Sequence, residues 1–386
     1  MAIYKIFPEK DTTLYSSFPT QNTGLDEILE VSTTFLPGEP QVSRFLIKFS
    51  TEEIIDLINT QISGSVTDAT GSLLTSSADF EANLKCYIAE INGLSGDLTL
   101  EVFPISGSWV MGTGKFLDKP ITEDGCSWEY RNSSGSNPWS TPGGEWYSGP
   151  VGGLPVKASQ SLGYSSDKDI NVNVTNAVRL FVSGTINNEG FIVKQDPSSE
   201  FQPKKDKVTN IKYFSIDTHT IYPPQLEFKW RDWTYANTSS YFIPSGSEGL
   251  GNYSTINTGS IIDTSQLVAT LANNSQEYLR GSVHKFYINC RPQYPERVFQ
   301  TSSLYNTNYY LPTSSYYAIK DLHTNEFIID FDDDYTQISA DLKGSYFKLY
   351  MNGLEPERYY KILIKTHIDG NTLILDDNYY FKIING

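Results

Sequence analysis

Apolar and polar residues alternate in short runs along most of this chain, and Gly, Pro, Asn and Ser cut the runs apart. A period of two predicts strands with one buried face. IYKIF, DTTLY, EILEV and RFLIKF supply four of them before Phe49. LKCYIAEI and LTLEVF, separated by a turn signal at Asn92–Gly93, predict a hairpin over Leu84–Phe103. Val172 and Val174 alternate with Asn171 and Asn173, and Phe191–Val193 and Leu226–Phe228 close a sandwich. The period changes once. Ser50-Thr51-Glu52-Glu53 has the form of a capping box, and apolar positions 54, 55, 58 and 62 follow at helical spacing, which predicts one short helix. Ala177–Val182 is a short helix or a helical turn, and Gly64–Ala82, rich in Ser and Thr, is a loop.

The second half repeats the strand pattern. VHKFYINC, YYAIKDL, EFIIDF, SYFKLYM, YYKILIKTHI, TLILDD and YYFKII are candidate strands, and Ile-Asp-Gly-Asn (368–371) predicts a hairpin turn before TLILDD. Between the halves, YANTSSYFIPSGSEGLGNYSTINTGS is low in charge and heavy in Ser, Gly, Asn and Tyr. It reads either as linker or as loop covered by a partner. The expected organisation is a sandwich over 1–232, a Tyr/Ser/Gly-rich connector over 233–281, and a smaller sandwich over 282–386.

Composition agrees with an all-β chain. Of 386 residues only 19% are charged, with 26 Tyr and 20 Phe, and aromatic residues fit a half-buried pleated surface. A net charge of −16 argues against nucleic-acid binding, which needs a basic face; the one basic knot is Lys204, Lys205 and Lys207. No run approaches the length of a membrane helix, and the first residues carry too few apolar positions for an export signal. Three far-separated cysteines, Cys86, Cys126 and Cys290, imply no disulfide framework and read as small buried hydrophobes.

Trp109, Trp128 and Trp139 fall within about thirty positions of one another, among turn-forming residues. Trp brings the largest burial of any side chain, and its N–H needs a partner when inside. They predict one packed nucleus. Together with the opening DTTLYSSFPTQNTGLDEILEV, the strand SRFLIKFS with its Arg before an apolar run, LTLEVFPISGSW, NNEGFIVK and the closing FSIDTHTIYPPQLEFKW, this stretch resembles the DNRLRE domain. That family is a β-sandwich classed with carbohydrate-binding modules and seen in surface proteins and phage structural proteins. The resemblance implies an N-terminal jelly-roll-like sandwich over residues 1–232. Residues Ser50–Ala82 and the Ser/Asn-filled spacer before Trp139 depart from the pattern. In the C-terminal part, Leu354-Glu355-Pro356-Glu357-Arg358-Tyr359-Tyr360 resembles the Leu-x-Pro-x-x-x-Tyr segment of fibronectin type III and immunoglobulin-like domains, with Tyr360 at a sheet corner, its hydroxyl bonded to the backbone.

No catalytic pattern emerges. The four histidines have no metal-type spacing, Gly112-Thr113-Gly114-Lys115 fails as a phosphate loop, and no nucleophile elbow is present. Asp330, Asp332 and Asp334 match the first oxygen positions of a calcium loop and Asp341 the twelfth, but Tyr335 stands where Gly is required. An exposed acidic turn is the better reading. Trp128, Trp139 and Trp146, with Arg131 nearby, form either a sugar-stacking platform or loop-pinning core, and Trp233, Tyr235 and Tyr241 are candidate partner contacts. The expectation is a non-enzymatic component of a tailed-phage virion, made in the host cytoplasm, without cofactor or metal. Its expected partners are other virion proteins and copies of itself, with a host surface glycan as the alternative, and neither nucleic acid nor a membrane.

Overall fold

The strand Glu39–Phe49 is buried on both faces: Phe45, Ile47 and Phe49 lie on one, Arg44 and Leu46 on the other. A strand at the surface of a sandwich buries only one face, so something besides the opposing sheet covers Leu46. Neighbouring strands continue each row. Phe191–Gln195 sets Ile192 against Leu46 and Phe191 against Ile47, and Leu98–Pro104 sets Phe103 against Ile192. Pro8–Tyr15 sets Thr12 against Leu46 and Leu14 against Arg44.

The structure, a computed structural model, describes residues 2–36, 39–62, 80–94, 97–163, 165–201, 209–233, 235, 260–294, 309–341 and 343–385. The chain is all-β, and it divides into two compact units, Lys5–Phe228 and Met1–Tyr4 with Lys229–Gly386. The divide falls inside the strands Ala2–Ile6 and Gln225–Trp230. The basic knot at Lys204–Lys207, most of the predicted Gly64–Ala82 loop and Tyr241 lie outside the described residues.

In the first unit an eight-stranded sheet runs Ala158–Leu162, Leu98–Pro104, Phe191–Gln195, Glu39–Phe49, Ile28–Leu36, Thr209–Phe214, Ile88–Asn92, with Pro8–Tyr15 also on Glu39–Phe49. A four-stranded sheet has the order Ala2–Ile6, Gln225–Trp230, Phe80–Cys86, Ile170–Asn173. The predicted hairpin over Leu84–Phe103 does not form. Phe80–Cys86 belongs to the four-stranded sheet, Ile88–Asn92 to one edge of the eight-stranded sheet, and Leu98–Pro104 lies next to its other edge. Gly93 does take a left-handed φ of 75°, so the turn signal is obeyed locally. Burial chose the partners instead. Leu84 and Cys86 are enclosed opposite Val172 and Ile170, and Leu100 and Val102 opposite Gln195 and Val193.

The predicted helix starts as expected, with Ser50 Oγ accepting from the Glu53 N–H at 3.3 Å. Thr51–Leu57 is α-helical and Ile58–Ile62 continues as a π-helix. It is not the one helix of the chain, because Thr175–Val182 and Pro197–Phe201 are helical too. Thr175–Val182 buries Ala177, Val178, Leu180 and Phe181, an apolar side that packing stabilises in a segment too short to hold alone.

The second unit has two six-stranded sheets. One has the order Ser260–Ile261, Tyr309–Tyr310, Val283–Pro292, Gly344–Tyr350, Ser339–Asp341, with Leu267–Leu271 also on Val283–Pro292. The other has Glu277–Leu279, Tyr380–Ile384, Tyr359–Ile368, Ser315–Asp321, Phe327–Ile329, with Asn371–Leu375 on Tyr359–Ile368. Aromatic rings fill the core: Phe347 stacks on Phe286 at 5.1 Å and on Tyr317 at 4.3 Å, and Phe381 lies 5.9 Å from Phe286. Tyr360 is buried, and its hydroxyl donates to the Glu355 carbonyl at 3.0 Å. Asp369 and Gly370 take φ of 51° and 71° and close the hairpin that pairs Ile368 with Asn371. Residues 260–279, read from sequence as the end of the connector, contribute three strands to these sheets.

Candidate functional site

The cover over the Leu46 face is the tryptophan-rich stretch itself. Leu14, Leu46, Phe103, Ile105 and Ile192 on the sheet form one cluster with Trp109, Cys126 and Trp139, and Met111, Trp128 and Trp146 pack against it. Between Pro104 and Ala158 the chain has only two short strands, Tyr130–Asn132 and Asn137–Pro138, and side chains add to backbone bonds such as those from the Cys126 N–H to the Val110 carbonyl at 2.7 Å and from the Gly143 N–H to the Trp128 carbonyl at 2.7 Å. Trp139 Nε1 donates to the Ser127 carbonyl and Trp109 Nε1 to the Glu189 carbonyl, each at 2.9 Å. Lys10 Nζ sits 4.1 Å over the Trp109 ring and donates to the Trp109 carbonyl at 2.5 Å. Burial, then the neighbouring Lys48, pulls the Lys10 pKa down.

Asn22 is the second anchor. Its Nδ2 donates to the Met111 and Cys126 carbonyls at 2.6 and 2.8 Å, and its Oδ1 accepts the N–H groups of Gly24 and Gly114. Gly112, at φ 81°, has no room for a side chain: a Cβ would stand 2.4 Å from Asn22 Oδ1. Asn22→Ala leaves two buried carbonyls and two N–H groups without their partner, and we expect a loss of about 2–3 kcal/mol. Urea unfolding followed by tryptophan fluorescence measures it, and a loss below about 0.5 kcal/mol would show that Asn22 does not hold the loop.

At the centre of the covered face lies a buried charge network. Arg44 Nε and Nη2 donate to the two carboxylate oxygens of Glu200 at 2.9 and 2.8 Å, and Nη1 donates to the Gly143 carbonyl at 2.8 Å. Lys194 Nζ stands 3.5 Å from Glu200 Oε2 and 3.3 Å from Glu101 Oε2. Lys157, half exposed, reaches Glu101 at 2.5 Å. Arg44, Lys194 and Glu200 are each at most 4% exposed at the side chain. Two cations and two carboxylates balance inside, which is the arrangement that makes buried charge tolerable. Sequence alone does not reveal this network, except that Arg44 stands out before its apolar run. Its signal is the charge interrupting buried strands, Glu101 in LTLEVF and Lys194 in FIVK, and both lie in facing register.

Trp128 and Trp146 come together around the network. The Arg44 guanidinium carbon lies 4.9 Å over the Trp128 ring and 5.3 Å over the Trp146 ring, and Lys194 Nζ lies 5.7 Å over Trp146. Each ring is half-buried. Arg131 lies beside Trp139 and Glu145, around Gly107. Trp233 and Tyr235 belong to the other unit, where their rings stack at 5.9 Å. Trp233 Nε1 donates to the Ile338 carbonyl at 3.0 Å and the Tyr235 hydroxyl to the Leu311 carbonyl at 2.5 Å.

No protein-family model matches the chain. No protein with a curated description matches it. Among solved structures, a DUF4785 family protein from Legionella pneumophila is similar at a TM-score of 0.17 and 10% identity, over 80% of this chain and 62% of that chain.

The acidic run Asp330–Asp334 is a cross-braced turn. Asp332 Oδ1 accepts the N–H groups of Asp334 and Tyr335, while Lys229, Arg231 and Lys365 pair with Asp332, Asp334 and Asp333. Among the described residues no group of three or more His, Cys, Asp or Glu side chains is placed to hold a metal ion. His284 packs against Tyr278 and Phe286, and His367 Nδ1 pairs with the Thr372 hydroxyl. All three cysteines are free and buried, and burial pushes the Cys126 and Cys290 thiols up to about 12.

Proposed function

We propose that this chain is a non-enzymatic structural component of a tailed-phage virion that works by assembling with other proteins. One observation carries the assembly reading: the pinned loop displays apolar side chains outward. Phe116 packs on Tyr15 at 4.7 Å and Phe18 at 5.6 Å, while Leu117 is 82% and Ile121 49% exposed. Gln21 Nε2 donates to the Lys115 and Phe116 carbonyls, and Asp118 accepts from the Lys115 N–H and the Thr122 hydroxyl. A fixed, exposed apolar patch is a mark of a protein-contact surface. Asp26, Glu27, Asp118, Glu123 and Asp124 outnumber Lys115 and Lys119 around it, so the partner it suits has an apolar centre and a basic rim. The phage setting rests on the sequence resemblance.

Mass-spectrometric counting of purified particles from the source sample tests this. The chain should be present in a fixed ratio to the other structural proteins, and Leu117→Asp/Ile121→Asp should cut its incorporation at least about tenfold. Absence from particles, or unchanged incorporation of the double variant, would sink the reading.

The alternative is recognition of a host glycan, which the half-exposed Trp128 and Trp146 favour. Each is partly exposed and has Arg44 over its ring. A glycan array with the full chain decides it, with Trp146→Ala as the control that must lose binding.

A further inference from the structure

The strand Asn371–Leu375 lies along Tyr359–Ile368, and among the described residues no strand pairs with its other side. Which backbone groups it leaves open follows from its neighbour. The Ile362 N–H donates to the Tyr379 carbonyl at 2.8 Å, while the His367 N–H donates the other way, to the Ser314 carbonyl at 3.3 Å. Even-numbered residues of Tyr359–Ile368 therefore bond toward Asn371–Leu375. Residues opposite one another in an antiparallel pair exchange both bonds or neither. Ile364, Thr366 and Ile368 stand opposite Leu375, Leu373 and Asn371, so these last three turn their N–H and C=O groups into the sheet. Thr372 and Ile374 turn theirs outward. Thr372 is exposed and Ile374 is 57% exposed, so the edge is open to solvent.

An open edge is a template for another strand, and sheets blunt it with charge, proline, a bulge or short length. Other edges of this protein are blunted. Gln160 of Ala158–Leu162 bonds the Asp169 carbonyl and the Asn171 N–H, both at 2.8 Å. Ile88–Asn92 carries Glu90, and Ala2–Ile6 carries Lys5. Glu277–Leu279, Phe327–Ile329 and Ser339–Asp341 are three residues long. Leu267–Leu271 is uncharged, but Ala269 at its middle is 3% exposed, backbone included. Asn371–Leu375 is uncharged, free of proline, unbroken in register and open.

We propose that Asn371–Leu375 pairs antiparallel with the same strand of a second copy of this chain, joining two C-terminal sheets across a two-fold axis. An axis at Leu373 sets Thr372 of each copy opposite Ile374 of the other, so the outward N–H and C=O groups of the two strands satisfy one another. Thr372 and Ile374 lie on one face of the strand, and each exposed Ile374 is covered beside a threonine. A chain of net charge −16 repels its own copies over most of its surface, and an uncharged edge is where they can meet. Asp369 and Asp377 flank the edge, and the axis brings each toward the other copy's. Pairing therefore tightens as salt screens these charges, whereas a basic foreign strand would be released by salt. The contact belongs to the other unit from the Leu117 patch. It needs no particle, so a chain that dimerises yet never enters virions would sink the virion reading and leave this one standing.

Analytical ultracentrifugation of the full chain tests it. We expect a monomer–dimer equilibrium with a dissociation constant of about 10–100 μM, weak because one strand pair shares little area. Raising salt from about 50 to about 500 mM should tighten it. Ile374→Lys places a charge at an exposed edge position and should weaken the dimer at least about tenfold in a folded protein. Leu117→Asp/Ile121→Asp should leave the dimer unchanged. Hydrogen exchange reads the backbone itself: the Thr372 and Ile374 amides should exchange more slowly as protein concentration rises. A chain still monomeric at about 200 μM, a dimer that survives Ile374→Lys, dissociation by salt, or exchange at these two amides that ignores concentration would each overturn the proposal.

Discussion

Glu200→Gln is expected to lower the unfolding free energy by about 3–5 kcal/mol, among the largest single effects in the molecule. Glu200 is fully buried and takes both the bidentate bond of Arg44 and the charge of Lys194. Removing its charge leaves two cations facing one remaining carboxylate, Glu101, in a place water does not reach. The loss is therefore mostly the cost of stranded charge, and a second substitution should relieve part of it. Arg44→Met/Glu200→Gln should lose less than the sum of the two single variants. Urea unfolding reads the energies, and Trp128 and Trp146 report on the site itself because they flank Arg44. A single-variant loss under about 1 kcal/mol would mean that the network behaves as a solvent-screened surface pair.

Asp11 makes stability fall as pH rises from about 4 to about 7. Burial pushes its carboxyl up from 3.8 to about 7, against the opposing hydrogen bonds from the Ile216 N–H and the Ser215 hydroxyl at 2.9 and 3.0 Å. Nearby Asp217 and Asp26 add to the rise. Below pH 4 both the folded and unfolded chains hold the proton, so Asp11 costs nothing. Between about pH 4 and 7 the unfolded chain ionises first, which favours unfolding, and above 7 the full penalty is present. A gap of about three pKa units corresponds to about 4 kcal/mol. The stability of wild type relative to Asp11→Asn should therefore drop by up to about that amount from pH 4 to pH 8. The difference between the two proteins is the quantity to read, since paired carboxylates such as Asp321 weaken the fold at the acid end. Parallel stability curves would show that Asp11 titrates normally.

The two effects act on different supports of one unit. The Arg44 network anchors the tryptophan cover to the eight-stranded sheet, while Asp11 ties the strand Pro8–Tyr15 to the turn after Thr209–Phe214. Gly190 shows how tightly that framework closes: at φ 87°, a Cβ there would stand 2.2 Å from the Ile47 carbonyl oxygen. The NNEGFIVK segment owes its Gly to that approach, and Asn188 beside it donates to the Phe49 carbonyl and the Thr51 hydroxyl at the start of the helix.

Much of the fold was legible because its signals are local. Alternation marked all seven predicted C-terminal strands, Ser50 marked a helix start, Asp369–Gly370 marked a hairpin, and Tyr360 bonds back to its own corner. Each depends on the φ, ψ and hydrogen bonds of a few adjacent residues, which residue type constrains directly. Partner choice does not. LKCYIAEI and LTLEVF read as a hairpin because they adjoin, yet they sit in different sheets or toward opposite ends of the eight-stranded sheet, since burying Leu84 and Val102 required partners remote in sequence. The short strands at 260–261 and 277–279 were invisible because parallel pairing with Tyr309–Tyr310 and Tyr380–Ile384 defines them rather than a pattern of their own.

The same holds for the candidate sites. Sequence placed Trp128 and Trp146 close together, and only tertiary structure put Arg44 over both rings and closed its charge with Glu200, 156 positions away. A period of two shows that a face is buried, never what buries it, because the energy of a buried charge is set by neighbours the chain brings in from far along its length.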